Sequence, residues 1–205
     1  MHCHEHEIRE RARRTGSRLA LVLSTLVAVL VSLFTWGGTA SAHGSVIDPA
    51  SRNYGCWQRW GSDFQNPAMA EQDPMCWQAW QANPNGQLCS GGQTEAGRYN
   101  SLDAVGPWKT TDIGADFTVK LYDQASHGAD YFLVYVTRQG FDPTKQPLTW
   151  NDLQLVARTG KYAPSQNYSI PLSTSGYSGR HVVYTIWQAS HMDQTYFLCS
   201  DVNFR

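Results

Sequence analysis

Apolar and polar positions alternate with a period of two at Phe117, Val119 and Leu121, and again along Tyr131 to Val136, Leu153 to Ala157, Tyr168 to Leu172, His181 to Trp187 and Tyr196 to Phe204. Such alternation turns one face of each segment toward a core and predicts short β-strands. Turn-forming residues punctuate the runs at Arg138-Gln139-Gly140, Asp142-Pro143, Arg158-Thr159-Gly160 and Ser175-Gly176, and none of these breaks demands a helical crossover. The expected architecture is therefore all-β, an immunoglobulin- or fibronectin III-like antiparallel β-sandwich. From His43 to about Trp108 the pattern dissolves. That stretch is rich in Gly, Pro, Asn, Gln and Trp, with a short helix expected around Ala68 to Gln81, and it reads as a loop-rich, partly helical amino-terminal excursion.

A different pattern opens the chain. Arg9, Arg11, Arg13, Arg14 and Arg18 precede an apolar run from Leu19 to Phe34, which ends near the small residues Ala40-Ser41-Ala42. This is the layout of a secretory signal occupying residues 1 to 42, and Arg13-Arg14 also fits twin-arginine export. The run is short for a membrane anchor and no second one follows, so the expected product is a soluble, secreted single domain of residues 43 to 205. Five Arg and three Glu leave with the leader, so eleven basic and fourteen acidic residues remain, a net charge of −3. That balance argues against nucleic acid or anionic membranes as partners. Cys3 leaves as well. Cys56, Cys76, Cys89 and Cys199 remain, an even number in an oxidising compartment that predicts two disulfides out of three possible pairings. Cys56 with Cys76 and Cys89 with Cys199 is the favoured set, each closure contributing roughly 3–5 kcal/mol in the loop-entropy model.

Cleavage after Ala42 changes the chemistry of His43. A histidine with a free α-amine can close on one metal ion through that amine and its imidazole Nδ1, and one further imidazole completes a planar three-nitrogen set suited to copper(II). The leader takes His2, His4 and His6, so the partner must come from His127, His181 or His191. His127 lies in Gln124-Ala125-Ser126-His127-Gly128, just after a predicted strand, where a loop side chain projects from a rigid scaffold. His181 opens a strand and reads as structural.

Several segments, in order, resemble the bacterial lytic polysaccharide monooxygenases of auxiliary-activity family ten, also called chitin-binding type-4 domains. They are His43-Gly44 with Pro49-Ala50-Ser51-Arg52, Gly86 to Gly92, Ala125-Ser126-His127 before Tyr131-Phe132, Gly140-Phe141-Asp142-Pro143, Leu148-Thr149-Trp150, Ser178 to Val183, Trp187, and Tyr196 to Val202. The resemblance spans nearly the whole of the chain after residue 42. It implies a copper histidine brace of His43 and His127, one copper ion per chain, and an axial aromatic ring that falls on Tyr196, with Phe197 as the alternative if the register slips. It also implies a small residue, Ala125, crowding the other axial approach, and Trp187 packed behind the metal. Gln124, His191 and Gln194 fall on the rim that faces polysaccharide. Trp57, Trp60, Trp77 and Trp80 crowd the excursion, where one or two exposed rings would stack on sugar faces.

The implied activity is oxidative cleavage of β-1,4 glycosidic bonds in insoluble polysaccharide, chitin first and cellulose second, by a monomer. It consumes an external electron donor and hydrogen peroxide or dioxygen. A carbon of the linkage is hydroxylated and the bond then eliminates, a route that needs no carboxylate pair of the kind used in glycoside hydrolysis. A non-catalytic chitin-binding protein would share the same surface. A periplasmic copper carrier could share the amino-terminal histidine, but the long aromatic excursion disfavours it. One departure stands out: relatives place a longer Trp-, Asn- and Gly-rich segment before the Gly86 motif, whereas here Asn83-Pro84-Asn85 runs straight into Gly86.

Overall fold

The computed structural model describes residues 44–57, 86–92, 97, 99–190 and 194–205. The described chain builds two sheets and one short helix. Strands β1 (Gly44–Asp48), β3 (Asp116–Asp123) and β6 (Asn167–Ser173) form a three-stranded antiparallel sheet in the order β1-β3-β6. A five-stranded sheet takes the order β2-β8-β7-β4-β5, from β2 (Thr111–Ile113), β4 (Ala129–Thr137), β5 (Leu153–Arg158), β7 (Gly179–Ala189) and β8 (Gln194–Phe204). Its pairings are antiparallel except for β2 on β8. This is the expected β-sandwich. Among the described residues no helix is long and apolar enough to cross a membrane.

The period-two pattern works most simply in β6, where Tyr168, Ile170 and Leu172 are buried and the residues between them exposed. The hairpin of β7 and β8 is buried almost throughout, because both of its faces are covered. Val183, Trp187, Tyr196, Leu198 and Val202 face the core between the sheets with Val119, Leu121, Phe132 and Ile170. Val182, Tyr184, Ile186, Phe197 and Cys199 face the opposite way, into a second cluster with Cys56, Leu88, Cys89 and Trp108. One sheet therefore separates two cores.

Helix α1 (Arg52–Trp57) has only six residues, too few to hold itself together in water. Tertiary contacts fix it. Ser51 Oγ accepts the Tyr54 amide at 3.2 Å and lies 2.8 Å from Ser45 Oγ, which ties the start of the helix to β1. Arg52 is buried against Asp201 of β8, its Nε 2.7 Å from Oδ2 and its Nη2 3.2 Å from Oδ1, while Nη1 donates to the Leu102 carbonyl and the guanidinium lies 4.6 Å from the Trp108 ring centroid. Removing one partner of such a pair would strand a buried charge at a cost of about 3–5 kcal/mol. The Arg52 of the Pro49-Ala50-Ser51-Arg52 motif is thus a structural clamp.

Cys89 and Cys199 form a disulfide across 110 residues of sequence, joining the loop after Gly86 to β8. The Asp103 carboxylate shapes that loop by accepting the Cys89 and Ser90 amides at 2.9 and 3.1 Å. Cys56 is also disulfide-bonded. Its expected partner, Cys76, lies outside the described residues, as do residues 1 to 43, the helix expected around Ala68 to Gln81, Trp60, Trp77 and Trp80. Periodicity did not anticipate β1, β2 or α1, nor the short 3-10 helices Asn100–Asp103 and Trp150–Asp152.

Candidate metal centre

At the end of β3 the chain turns through Gln124 to Gly128 before β4 begins, and this turn carries His127. Asp123 organises it. The Asp123 carboxylate, wholly buried, accepts the Ala125 amide at 3.1 Å on Oδ1 and the His127 amide at 2.5 Å on Oδ2. Its Oδ1 also lies 2.7 Å from His127 Nδ1. Ser126 occupies the left-handed region at φ 57°, and Gly128 follows at φ 80°. The glycine is required at its position, because a Cβ there would lie 3.2 Å from the Tyr162 carbonyl oxygen in a conformation that L side chains rarely adopt. Gly128 is held on both sides, its amide donating to Tyr168 Oη and its carbonyl accepting Trp187 Nε1, each at 3.0 Å.

With both oxygens accepting backbone N–H groups, Asp123 behaves as a carboxylate, which accepts hydrogen bonds and donates none. His127 Nδ1 must therefore bring the proton to their contact. In that tautomer Nε2 carries the lone pair, the arrangement of a metal-binding histidine oriented by a carboxylate. The donor chemistry of His127 thus fits a copper or zinc ion bound through Nε2.

Aromatic rings close the inner side. Trp187 and Tyr196 are direct cross-strand partners on β7 and β8, stacked at 4.5 Å between centroids and 24° between planes, and both are fully buried. The Trp187 ring meets that of His127 edge-on at 6.1 Å. Strand alternation sends Phe197 to the opposite face, into the second core, so of the two rings Tyr196 is the one on the His127 side. The Tyr196 hydroxyl donates to Gln194 Oε1 at 2.8 Å. Burial, reinforced by the Asp123 charge, pushes its ionisation well above the ordinary tyrosine range, so Tyr196 is a neutral phenol.

Gly44 connects this cluster to the amino-terminal strand. It pairs with Asp123 in the β1–β3 register, and its backbone lies so close to Trp187 that an added Cβ would sit 2.6 Å from Cζ3. In sequence it directly follows His43, which lies outside the described residues, as does His191. Gln124 and Ala125 are exposed on the turn, and the Gln124 carbonyl accepts Gln166 Nε2 at 3.3 Å. His181 is remote from these groups in the fold, buried near the start of β7 with Nδ1 2.9 Å from the Thr137 carbonyl oxygen. The structure brings together Asp123, His127, Trp187, Tyr196 and Gln194. Sequence reasoning missed Asp123. The only local signal was an acidic residue four positions before a histidine at a strand end, which is an ordinary turn composition.

Comparison with known proteins accords with this geometry. The family described as "Lytic polysaccharide mono-oxygenase, cellulose-degrading" matches residues 43–202. A lytic polysaccharide monooxygenase crystal structure from Kitasatospora papulosa is 72% identical, covers 80% of this chain and 98% of its own, and superposes with a TM-score of 0.69. The structure of ScLPMO10B in complex with zinc is 70% identical over 80% of this chain and all of its own, with a TM-score of 0.68. The chitin-binding protein CbpD of Pseudomonas aeruginosa is 30% identical over 92% of this chain but only 53% of its own length, so this chain spans about half of that relative. The sandwich, the ordered motifs and these matches together establish that the chain belongs to the lytic polysaccharide monooxygenases of auxiliary-activity family ten.

Proposed function

We propose that the chain is cut before His43 and secreted, and that the processed form is a copper-dependent monooxygenase that oxidatively cleaves β-1,4 linkages of insoluble polysaccharide, chitin first. The observation that carries this reading is the pairing of Gly44 with Asp123, the carboxylate that holds His127. It brings the residue after His43 beside the residue whose carboxylate contacts the second imidazole, which supports a two-histidine brace. His43 would supply its α-amine and imidazole, and His127 its Nε2. Bound copper would supply one-electron redox chemistry, driven by an external reductant with hydrogen peroxide or dioxygen.

The remaining residues shape and shield. Tyr196 would present a neutral ring toward the metal, with its proton committed to Gln194, and Ala125 would limit access to it. Trp187 is the wall behind His127. Gln124, Gln194 and His191 are assigned to the rim that meets polysaccharide. Asp123 is wholly buried and engaged by three N–H donors of its own turn, which argues against a role as the acid or base of a hydrolase. Cellulose is the second reading, favoured by the description of the matching family, while the chitin-binding relative supports the first.

The test is incubation of processed protein with copper, ascorbate and either β-chitin or cellulose, with products read by mass spectrometry. Oxidised oligosaccharides are expected from chitin, only when reductant is present. They should disappear when His127 is replaced by Ala or when one residue is added before His43. Plain hydrolysis products would refute the reading, and binding without any product would favour a non-catalytic chitin-binding protein.

A further inference from the structure

Two aspartates are fully buried among the described residues, and they are balanced differently. Asp201 meets the Arg52 guanidinium. Asp123 instead collects three N–H donors from one turn: the amides of Ala125 and His127, and His127 Nδ1. Its negative charge also faces the Tyr196 and Tyr168 phenols, where, secondary to burial, it raises the ionisation of both. Through its own backbone it pairs with Gly44. Asp123 therefore reaches the imidazole and its turn through the carboxylate, and the strand that follows His43 in sequence through its backbone.

We propose that Asp123 is a positioning residue of the metal centre, locking His127 in the Nδ1–H tautomer so that Nε2 is the copper-binding nitrogen and placing a fixed negative charge behind that ligand. This rests on the copper function proposed above. A carboxylate in this position orients the ring and increases its donor strength, and losing such a partner weakens metal binding by roughly 10- to 100-fold. No neutral isostere can replace it. Three donors converge on two oxygens, so an amide, which exchanges one oxygen for an NH2 group, must set a donor against a donor at the turn or at the ring.

The test compares processed wild-type protein with Asp123→Asn. Copper(II) affinity, measured by competition with a chelator of known strength, should fall by roughly 10- to 100-fold in the variant. The nitrogen coupling in its electron paramagnetic resonance spectrum should change, while the β-sheet circular dichroism of the metal-free protein is retained. A measurement on the metal-free wild type guards against a variant that fails to fold: nitrogen-15 NMR of the neutral His127 ring should show the proton on Nδ1. A proton on Nε2 would overturn the proposal. Wild-type copper uptake that Asp123→Asn leaves unchanged would overturn the positioning role alone, with the proposed function intact. Wild-type protein that takes up no copper would overturn the proposed function and this role with it.

Discussion

A Cβ on residue 44 would lie 2.6 Å from Trp187 Cζ3 and 3.0 Å from the Tyr122 carbonyl oxygen. The indole cannot retreat easily, because it is fully buried, bonded to Gly128 and stacked on Tyr196. Gly44→Ala should therefore cost about 1–3 kcal/mol, the usual penalty of overpacking, and should lower the denaturant midpoint measurably. An unchanged midpoint would mean that the strand can shift freely away from the indole. The phenols of Tyr168, Tyr177 and Tyr196 all ionise above the ordinary range, chiefly because they are removed from water. Above about pH 10 the unfolded chain releases protons that the folded chain keeps, so stability should be intact below that pH and fall as pH rises further. Ultraviolet titration should show these tyrosines ionising late, together with unfolding; early, reversible ionisation of all ten tyrosines would contradict this. At this scale His127 could be singled out because its segment is one of an ordered set that resembles a family. Asp123 could not, since nothing in a sequence distinguishes a buried turn carboxylate from a solvated one.

Periodicity predicted β6, where buried and exposed residues alternate throughout, and it also predicted β7 and β8, which are buried on both faces. The elements it missed are held by partners far away in sequence. Strand β2 has three residues and pairs in parallel with β8, while α1 contains Gly55 and depends on Ser51 and Arg52 for its existence. Neither carries a local signal strong enough to read. The two-disulfide expectation rested on an even count of cysteines, and its longer bond now has a mechanical role, tying the Leu88 to Ser90 turn onto β8. Replacing Cys89 and Cys199 together by Ser should cost about 2–5 kcal/mol, read as a lower midpoint in thermal unfolding, because the bond closes a loop of 110 residues. A loss below 1 kcal/mol would mean that Asp103 and the packing around Leu88 hold the turn unaided.

Over the whole molecule the two cores divide the work. The core between the sheets backs His127, Trp187 and Tyr196, while the outer cluster gathers Cys56, Leu88 and Cys89 on the far face of the shared sheet. Gly86 donates its amide to the Leu148 carbonyl at 2.9 Å. A segment of family length inserted between Asn85 and Gly86 should therefore leave thermal stability nearly unchanged, while strengthening chitin binding and slowing self-inactivation during turnover through better positioning of substrate. Equal binding and equal operating lifetime in the two forms would show that the segment is dispensable. The sheet shared by the two cores acts as a bulkhead, so a change of length on its outer side should leave the packing of the inner core in place. A chain that exchanges the segment joining Cys56 to Leu88 for one of another length should therefore keep Trp187 stacked on Tyr196, and a graft there should leave that stacking unaltered.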